Sequence, residues 1–165
     1  MLYEVEGDIL LTGADAIAHG VAANDPMNQG LAQSLHEQFP SMHKDFHHWC
    51  HVERREPGSA WIWSGVGGTR IVNLITQDGG YGHGAGSKPG KATLATVNQS
   101  LRSLKHIIAS EKLASVSLPR LATGVGGLSW DEVRPLIESQ LGDIAARILI
   151  YSEFVPGQKA REPAA

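Results

Sequence analysis

The chain has 165 residues, of which 42% are hydrophobic and 19% charged, and its formal net charge is −3 with histidine neutral. That length suits one domain with one sizeable core, and the charge balance excludes a general pull toward nucleic acid or membrane, leaving only a local basic patch for such contacts. The lone cysteine, Cys50, excludes an intrachain disulfide. With neither a signal-peptide pattern nor an apolar run approaching the ~20 residues of a membrane span, the expectation is a cytoplasmic protein without membrane contact.

Residues 2–6 alternate weakly and make a short first strand, ended by Gly7 and Asp8. Residues 15–21, DAIAHGV, read as a buried strand, and residues 22–30, AANDPMNQG, as a turn-rich loop punctuated by Asp25-Pro26. Leu31, Leu35 and Phe39 then have helical spacing, and Pro40 stops that helix. A second helix runs from residue 41 to about residue 52 with Met42, Phe46 and Trp49. After a turn at Pro57-Gly58 come a strand at 60–63, a turn at 66–69 and a strand at 70–76. Residues 77–91, QDGGYGHGAGSKPGK, form a glycine-rich loop of a length that is usually functional or mobile.

Residues 92–113 are the clearest helix, with Leu94, Val97, Leu101, Leu104 and Ile108 on one face. A strand at 115–118 leads into LPRLATGVGGLSW, residues 118–130. Ser129 and Glu132 have the spacing of a capping box opening the next helix, and Pro135 sits one turn inside it, where it should bend the axis. The last strand is 147–151. Residues 155–165 carry few large apolar groups and are expected to be a disordered tail behind a domain spanning residues 1–154.

Strands and helices alternate through the second half, which points to an α/β fold whose mostly parallel sheet is covered by helices on both faces. The loops following residues 21, 76, 118 and 151 then share one rim. Strand, glycine turn and helix start around residues 118–130 make an arrangement suited to phosphate, because glycines let backbone N–H groups approach an anion closely. A tight turn without a ligand has the same pattern.

Individual side chains leave similar pairs of readings. Asp8 can accept from an exocyclic amine or cap a turn. Asn24 and Asp25 can contact a ribose or form an Asx-turn. Tyr151 or Phe154 close behind it can stack on a base or pack the sheet edge. His43, His47 and His51 share a helix face, but no Cys or acidic ligand has the spacing to complete a metal set, so a solvated face and no metal is the expectation. Cys50 beside Trp49 reads as core. No G-x-S-x-G and no Walker lysine is present.

Several short pieces occur in a telling order: Glu6-Gly7-Asp8-Ile9, Ala18-His19 with Met27 and Gly30-Leu31-Ala32, Leu74-Ile75-Thr76, Leu118-Pro119-Arg120, residues 124–128 and Ile150-Tyr151. Together they resemble a macrodomain, the ADP-ribose-binding fold. The subgroup most similar contains the terminal ADP-ribose protein glycohydrolase and the DNA-ADP-ribosylation antitoxin macrodomain. The resemblance covers residues 3–154 and implies a three-layer α/β/α domain with a mixed, mostly parallel central sheet. It implies that Asp8 holds the adenine amine, Ile9 lines the base pocket and Tyr151 stacks near the adenine. It further implies that residues 24–31 face the distal ribose and that Thr123, Gly124, Val125, Gly126 and Gly127 wrap the diphosphate. His19, Met27, Gly30, Leu31, Thr76 and Pro119 complete the implied ligand-binding set.

Two departures stand out. The subgroup's lysine nucleophile follows the Leu-Ile-Thr strand end, where this chain has Gln77, and its catalytic aspartate falls where this chain has Gly126. Glutamine forms no Schiff base and glycine transfers no proton, so the lysine mechanism does not carry over. His83, Lys88 and Lys91 in the long loop are the remaining candidates for lost chemistry, with solvated loop positions as the alternative. The expectation is a monomer, with no cofactor besides ADP-ribose as ligand or product. It binds ADP-ribose and hydrolyses an ADP-ribosyl linkage on protein or nucleic acid, with Asp25 as general base beside Gln77 and Asn24. The alternative is a non-catalytic ADP-ribose reader.

Overall fold

A computed structural model of the chain describes residues 1–53, 56–79 and 90–164. Strands β1 (Leu2–Gly7), β2 (Ala16–Ala22), β3 (Ala60–Ser64), β4 (Arg70–Gln77), β5 (Ser115–Leu118) and β6 (Arg147–Phe154) form one sheet in the order β1-β6-β5-β2-β4-β3. Every neighbouring pair is parallel except β3 with β4. Helices are α1 (Gly30–Gln38), α2 (Pro40–Glu53), α3 (Leu94–Ser110) and α4 (Trp130–Leu141). The mixed, mostly parallel three-layer sandwich is the architecture anticipated from the sequence. No helix among the described residues is long and apolar enough to cross a membrane.

The layers follow from strand periodicity. Successive strand residues point to opposite faces, and a sheet covered on both sides is apolar on both. Ala16, Ala18, Val72, Leu74, Val116, Leu118, Ile148 and Ile150 join Leu101, Leu104, Val133 and Ile137 in one core cluster under α3 and α4. Ile17, Val21, Ile71, Ile75 and Leu149 join Leu35, Met42, Phe46 and Cys50 under α1 and α2. Cys50 is thus a buried core residue, as its neighbours suggested.

Local signals differ from the sequence reading in three places. Pro40 ends α1 but also occupies the first position of α2, where its missing N–H costs nothing. The reciprocal capping box belongs to α3: Thr93 Oγ1 accepts from Thr96 N at 3.1 Å while Thr93 N donates to Thr96 Oγ1 at 3.0 Å. At α4 the Ser129 hydroxyl instead donates to the Glu132 carboxylate at 3.0 Å and caps no backbone group. Pro135 lies within α4, and the helix continues through it to Leu141.

The C-terminal segment corrects the expectation of a disordered tail. Residues 156–164 lack regular structure, in keeping with their composition, yet they pack against β1 and the turn after it. Asp8 N donates to Gln158 O at 2.7 Å, Gly157 N donates to Asp8 Oδ2 at 2.9 Å, and Ala160 is buried. The Glu162 carboxylate accepts from Gly13 N, Tyr151 OH and the Thr12 hydroxyl. Hydrogen bonds to fixed partners order this segment, and such bonds leave no hydrophobic periodicity to read.

The capping difference is measurable. Thr93→Ala should cost about 1 kcal/mol in chemical denaturation, a typical loss for an N-cap that binds backbone, whereas Ser129→Ala should cost far less. Equal losses would mean that the two helix starts are capped alike.

Candidate ligand-binding site

The carboxyl ends of β2, β4 and β5 meet at one rim, where parallel right-handed connections place their loops. Two adjoining cavities open there. One, of about 370 Å³, is lined by His19, Asp25, Gln77, Arg120 and parts of the stretches 28–32 and 119–126. The other, of about 390 Å³, is lined by Ile9, Leu10, Gly30, Leu31, Ser34, Pro119, Tyr151 and Phe154. Gly30, Leu31 and Pro119 belong to both, so a long ligand can run from the polar chamber into the apolar one.

The glycine loop forms one wall of the polar chamber. Leu128 N donates to Ala122 O at 3.0 Å and Gly127 N to Gly124 O at 3.0 Å, which closes the turn on itself. Ala92 N donates to Gly126 O at 3.1 Å and ties the turn to the start of α3. The N–H groups of Gly124, Val125 and Gly126 donate to no backbone carbonyl among the described residues. Space beside Gly124 is open, whereas a Cβ at Gly126 would stand 2.7 Å from Ala122 O. The turn is therefore shaped around a missing side chain, and an aspartate at Gly126 requires a different loop. Asp131 and Glu132 already occupy the first turn of α4, so anion binding here rests on loop amides more than on the helix dipole. Two cations stand close by: Lys91 Nζ lies alongside Gly127, and Arg120 lines the chamber with its guanidinium 5.6 Å from the Trp130 ring centre.

The loop after β2 is an Asx-turn built on Asp25. Its Oδ2 accepts from Ala22 N at 2.9 Å and its Oδ1 from Met27 N at 2.8 Å. Asn24 and Met27 on either side adopt left-handed backbone, with φ of 55° and 51°. Asp25 reaches the polar chamber, but Asn24 is exposed beside it and Met27 is buried in the core beneath α1 and α2. Gln77, at the end of β4, is also tethered: its Nε2 donates to Gly90 O at 3.1 Å.

Histidines support this loop from below, which corrects the expectation of a solvated histidine face. His36 and His43 stack with ring centres 3.9 Å apart, and His43 and His47 follow at 4.3 Å. His47 Nε2 donates to Asp25 O at 2.8 Å and His36 Nδ1 to Met27 O at 3.2 Å. Only His51 of the expected set is exposed. Burial, then the neighbouring His47 and His36, hold His43 below the ordinary imidazole value, against opposing contributions from Asp25. Burial also depresses His19, which donates from Nε2 to Asn73 Oδ1 at 2.6 Å and leaves Nδ1 buried without a partner among the described residues. No group of His, Cys, Asp or Glu among the described residues is arranged to hold a metal.

At the apolar chamber Ile9 is buried and Tyr151 presents its ring, while its hydroxyl donates to Glu162 Oε2 at 2.6 Å. Burial and that carboxylate push the Tyr151 phenol well above its usual value. Asp8 performs the capping alternative, with Oδ1 accepting from Leu10 N at 3.0 Å. It lies beside the chamber without lining it.

The chambers thus gather Asp25, Gln77, His19, Ile9, Gly30, Leu31, Pro119, Gly124, Val125, Gly126 and Tyr151. Asp8, Asn24, Met27, Thr76, Thr123 and Gly127 line neither. Thr76 is buried on the α3 side, and Thr123 Oγ1 donates to Arg120 O at 2.9 Å within the loop. His83 and Lys88 lie outside the described residues. Asn28 and Gln29 belong to the stretch 24–31 that the resemblance turned toward the ribose, Arg120 to its Leu118-Pro119-Arg120 piece, and Phe154 to the stacking reading; Ser34 was not singled out, its only signal being a position next to a rim loop.

Comparison with known proteins agrees with this fold. The Macro domain family model matches residues 19–137. A DNA ADP-ribosyl glycohydrolase of Mycobacterium bovis is 28% identical over 148 residues, covering 86% of this chain and 40% of that protein. The chain therefore spans about 40% of the length of the relative it matches. Among solved structures, the macrodomain of Thermus aquaticus DarG superposes with a TM-score of 0.79 at 24% identity, covering 92% of this chain and 98% of the other. Thermosipho africanus DarTG in complex with ADP-ribose gives 0.80 at 21% identity, covering 96% and 42%.

The buried imidazoles set a pH signature. His19 and His43 bind protons less tightly folded than unfolded, so stability is full above the ordinary value of 6.5 and falls as pH drops below it. Urea midpoints measured from about pH 8 to about pH 5 should decline on the acid side, and His43→Gln should flatten the decline. A flat wild-type profile would contradict burial of neutral rings.

Proposed function

We propose that this chain, which belongs to the macrodomain family, binds ADP-ribose across the two chambers. The observation that supports this is the turn at residues 122–128: its Gly124, Val125 and Gly126 line a polar chamber that adjoins an apolar one, and their N–H groups donate to no backbone carbonyl among the described residues. In this reading the diphosphate lies on the Gly124, Val125 and Gly126 amides, with Lys91 and Arg120 offsetting charge. The adenine enters the apolar chamber between Ile9, Leu31 and Tyr151, and the distal ribose lies near Asp25 and Gln77.

We further propose hydrolysis of an ADP-ribosyl linkage on protein or nucleic acid without a lysine nucleophile. Water attacks the anomeric carbon as the bond to the carrier breaks, the bonding pair leaves with the carrier group, and the water proton passes through the Asp25 carboxylate to that group. Gln77 orients the water, and Asn24 contacts the ribose from the rim. Fixing the sugar and aiming dipoles at the developing charge can supply a large rate factor without a covalent step.

A second reading, a reader that releases ADP-ribose unchanged, is favoured by the commitments of these same groups. Both Asp25 oxygens hold backbone N–H groups, Gln77 is tied to Gly90, and Gly126 has no room for a carboxylate. Release of free ADP-ribose from ADP-ribosylated protein and DNA separates the two. Turnover lost in Gln77→Ala with binding retained supports the enzyme, and no release from any linkage by protein that binds ADP-ribose leaves the reader.

Binding itself is tested by Gly124→Glu. Calorimetry should show ADP-ribose affinity reduced at least about tenfold, since bulk and negative charge enter the diphosphate position. Unchanged affinity in a folded variant would place the ligand elsewhere.

A further inference from the structure

We propose that His36, His43 and His47 are positioning residues for the loop at residues 22–30, and that they make ligand binding in the polar chamber sensitive to protons. The inference rests on the ADP-ribose reading above and adds a form of regulation to that same site.

The loop contributes Asp25, Asn28, Gln29 and Gly30 to the chamber wall. Two of its carbonyls, Asp25 O and Met27 O, accept from His47 Nε2 at 2.8 Å and from His36 Nδ1 at 3.2 Å. A carbonyl can only accept, so each bond fixes its ring as the donor and sets its tautomer. His47 belongs to α2, while His36 belongs to α1, whose first residues Gly30, Leu31 and Ala32 also line the chamber. The two bonds therefore tie the wall of the site to both helices beneath it.

The His43 ring lies between the other two, its centre 3.9 Å from that of His36 and 4.3 Å from that of His47. Its Nε2 is buried with no hydrogen-bond partner among the described residues. A neutral ring can leave that nitrogen as a bare lone pair. A charged ring must place an N–H there with nothing to receive it, and must set a cation against two rings that can themselves take up protons. The closed stack therefore requires a neutral His43. The groups that act on it come from three elements: His47 on its own helix, His36 on α1 and Asp25 in the loop. Burial, then His47 and His36, hold it below the ordinary value of 6.5 against the opposing pull of Asp25.

The loop itself is poised to relax. Asn24 and Met27 hold left-handed backbone, with φ of 55° and 51°, a conformation that persists only while the surroundings impose it. A proton on His43 is accommodated by parting the rings, and the bonds to Asp25 O and Met27 O are lost with the stack. Because His43 binds its proton less tightly in the closed stack than in an open one, the closed loop is favoured above the ordinary value of 6.5 and is lost as pH falls below it. By linkage, a ligand that binds the closed loop expels a proton in that acid range.

The test is calorimetry of ADP-ribose with the full chain across this pH range, in buffers of different ionisation enthalpy so that protons are counted. Affinity should fall at least about threefold from about pH 7.5 to about pH 5.5, with protons released on binding toward the acid end. The ligand's diphosphate is doubly esterified and keeps its charge throughout. His43→Phe keeps a flat ring between its neighbours but cannot titrate, and His43→Gln replaces the ring with an uncharged polar side chain. Both should bind with an affinity nearly independent of pH and without proton release, a cooperative thermal transition at each pH confirming the fold. His48→Gln, at an exposed histidine of the same helix, should keep the wild-type profile. A merely structural role would lower affinity in the His43 variants at every pH and leave the slope intact. A flat wild-type profile overturns the proposal while leaving ADP-ribose binding in place. A wild-type slope that survives in a folded His43 variant overturns it too, and assigns the titration to another group such as His19, which lines the chamber. A chain that binds ADP-ribose at no pH overturns both this inference and the ligand reading beneath it.

Discussion

Two backbone hydrogen bonds, Leu128 N to Ala122 O and Ala92 N to Gly126 O, define the shape on which the site depends. They fold the glycine turn back on the end of β5 and pin it to the entry of α3, so that the intervening amides are fixed before any ligand arrives. Preorganised donors need little rearrangement to meet an anion, and this is how main-chain groups without formal charge can hold a diphosphate. The same bonds explain why the turn tolerates no side chain at Gly126. A carboxylate there would have to displace Ala122 O, and the loop would lose the closure that aims its amides.

The facing loop is built by a complementary device. Asp25 draws in two N–H groups and leaves Asn24 and Met27 in left-handed backbone, a costly conformation that persists because its surroundings over-determine it. Two imidazoles beneath it supply that support, His47 by donating to Asp25 O and His36 to Met27 O, with the His43 ring packed between them. The loop is thus fixed by hydrogen bonds on a face that apolar packing alone does not cover. The cost is that these side chains are engaged, which bears directly on whether they are free to do chemistry.

The succession of elements along the chain, the helix positions and the shared rim were legible because they rest on periodicity and on glycine and proline positions, which sequence displays openly; the order of strands within the sheet was not. Gly124 and Tyr151 could be placed because each adjoins a strand end or a glycine turn, whereas Ile9 and Leu31 were placed by the family resemblance. Asp8 and Asp25 were legible as polar loop residues, but which of two hydrogen-bonding roles each plays depends on partners elsewhere in the chain. The histidine stack was missed because His36 lies on a different helix from His43 and His47, and single-helix spacing cannot show a contact made between helices. The capping box was assigned to Ser129, where the spacing matches, when Thr93 and Thr96 form it with a hydroxyl in place of the expected acid. Segment 156–164 escaped for a simpler reason: its order comes from Glu162 and Gly157 meeting partners some 150 positions earlier, at separations of 149 and 150 residues.

The sheet order carries one more consequence. β1 is the first strand made, yet its partner in the sheet is β6, the last. As the chain emerges during synthesis, β5, β2, β4 and β3 can assemble and begin to bury their faces while β1 waits at the outside without a neighbour. The order of manufacture thus leaves the glycine turn after β5 available early and β1 and β6 to close the sheet like a clasp, a long-range pairing that must be reached against the entropy of the stretch between them.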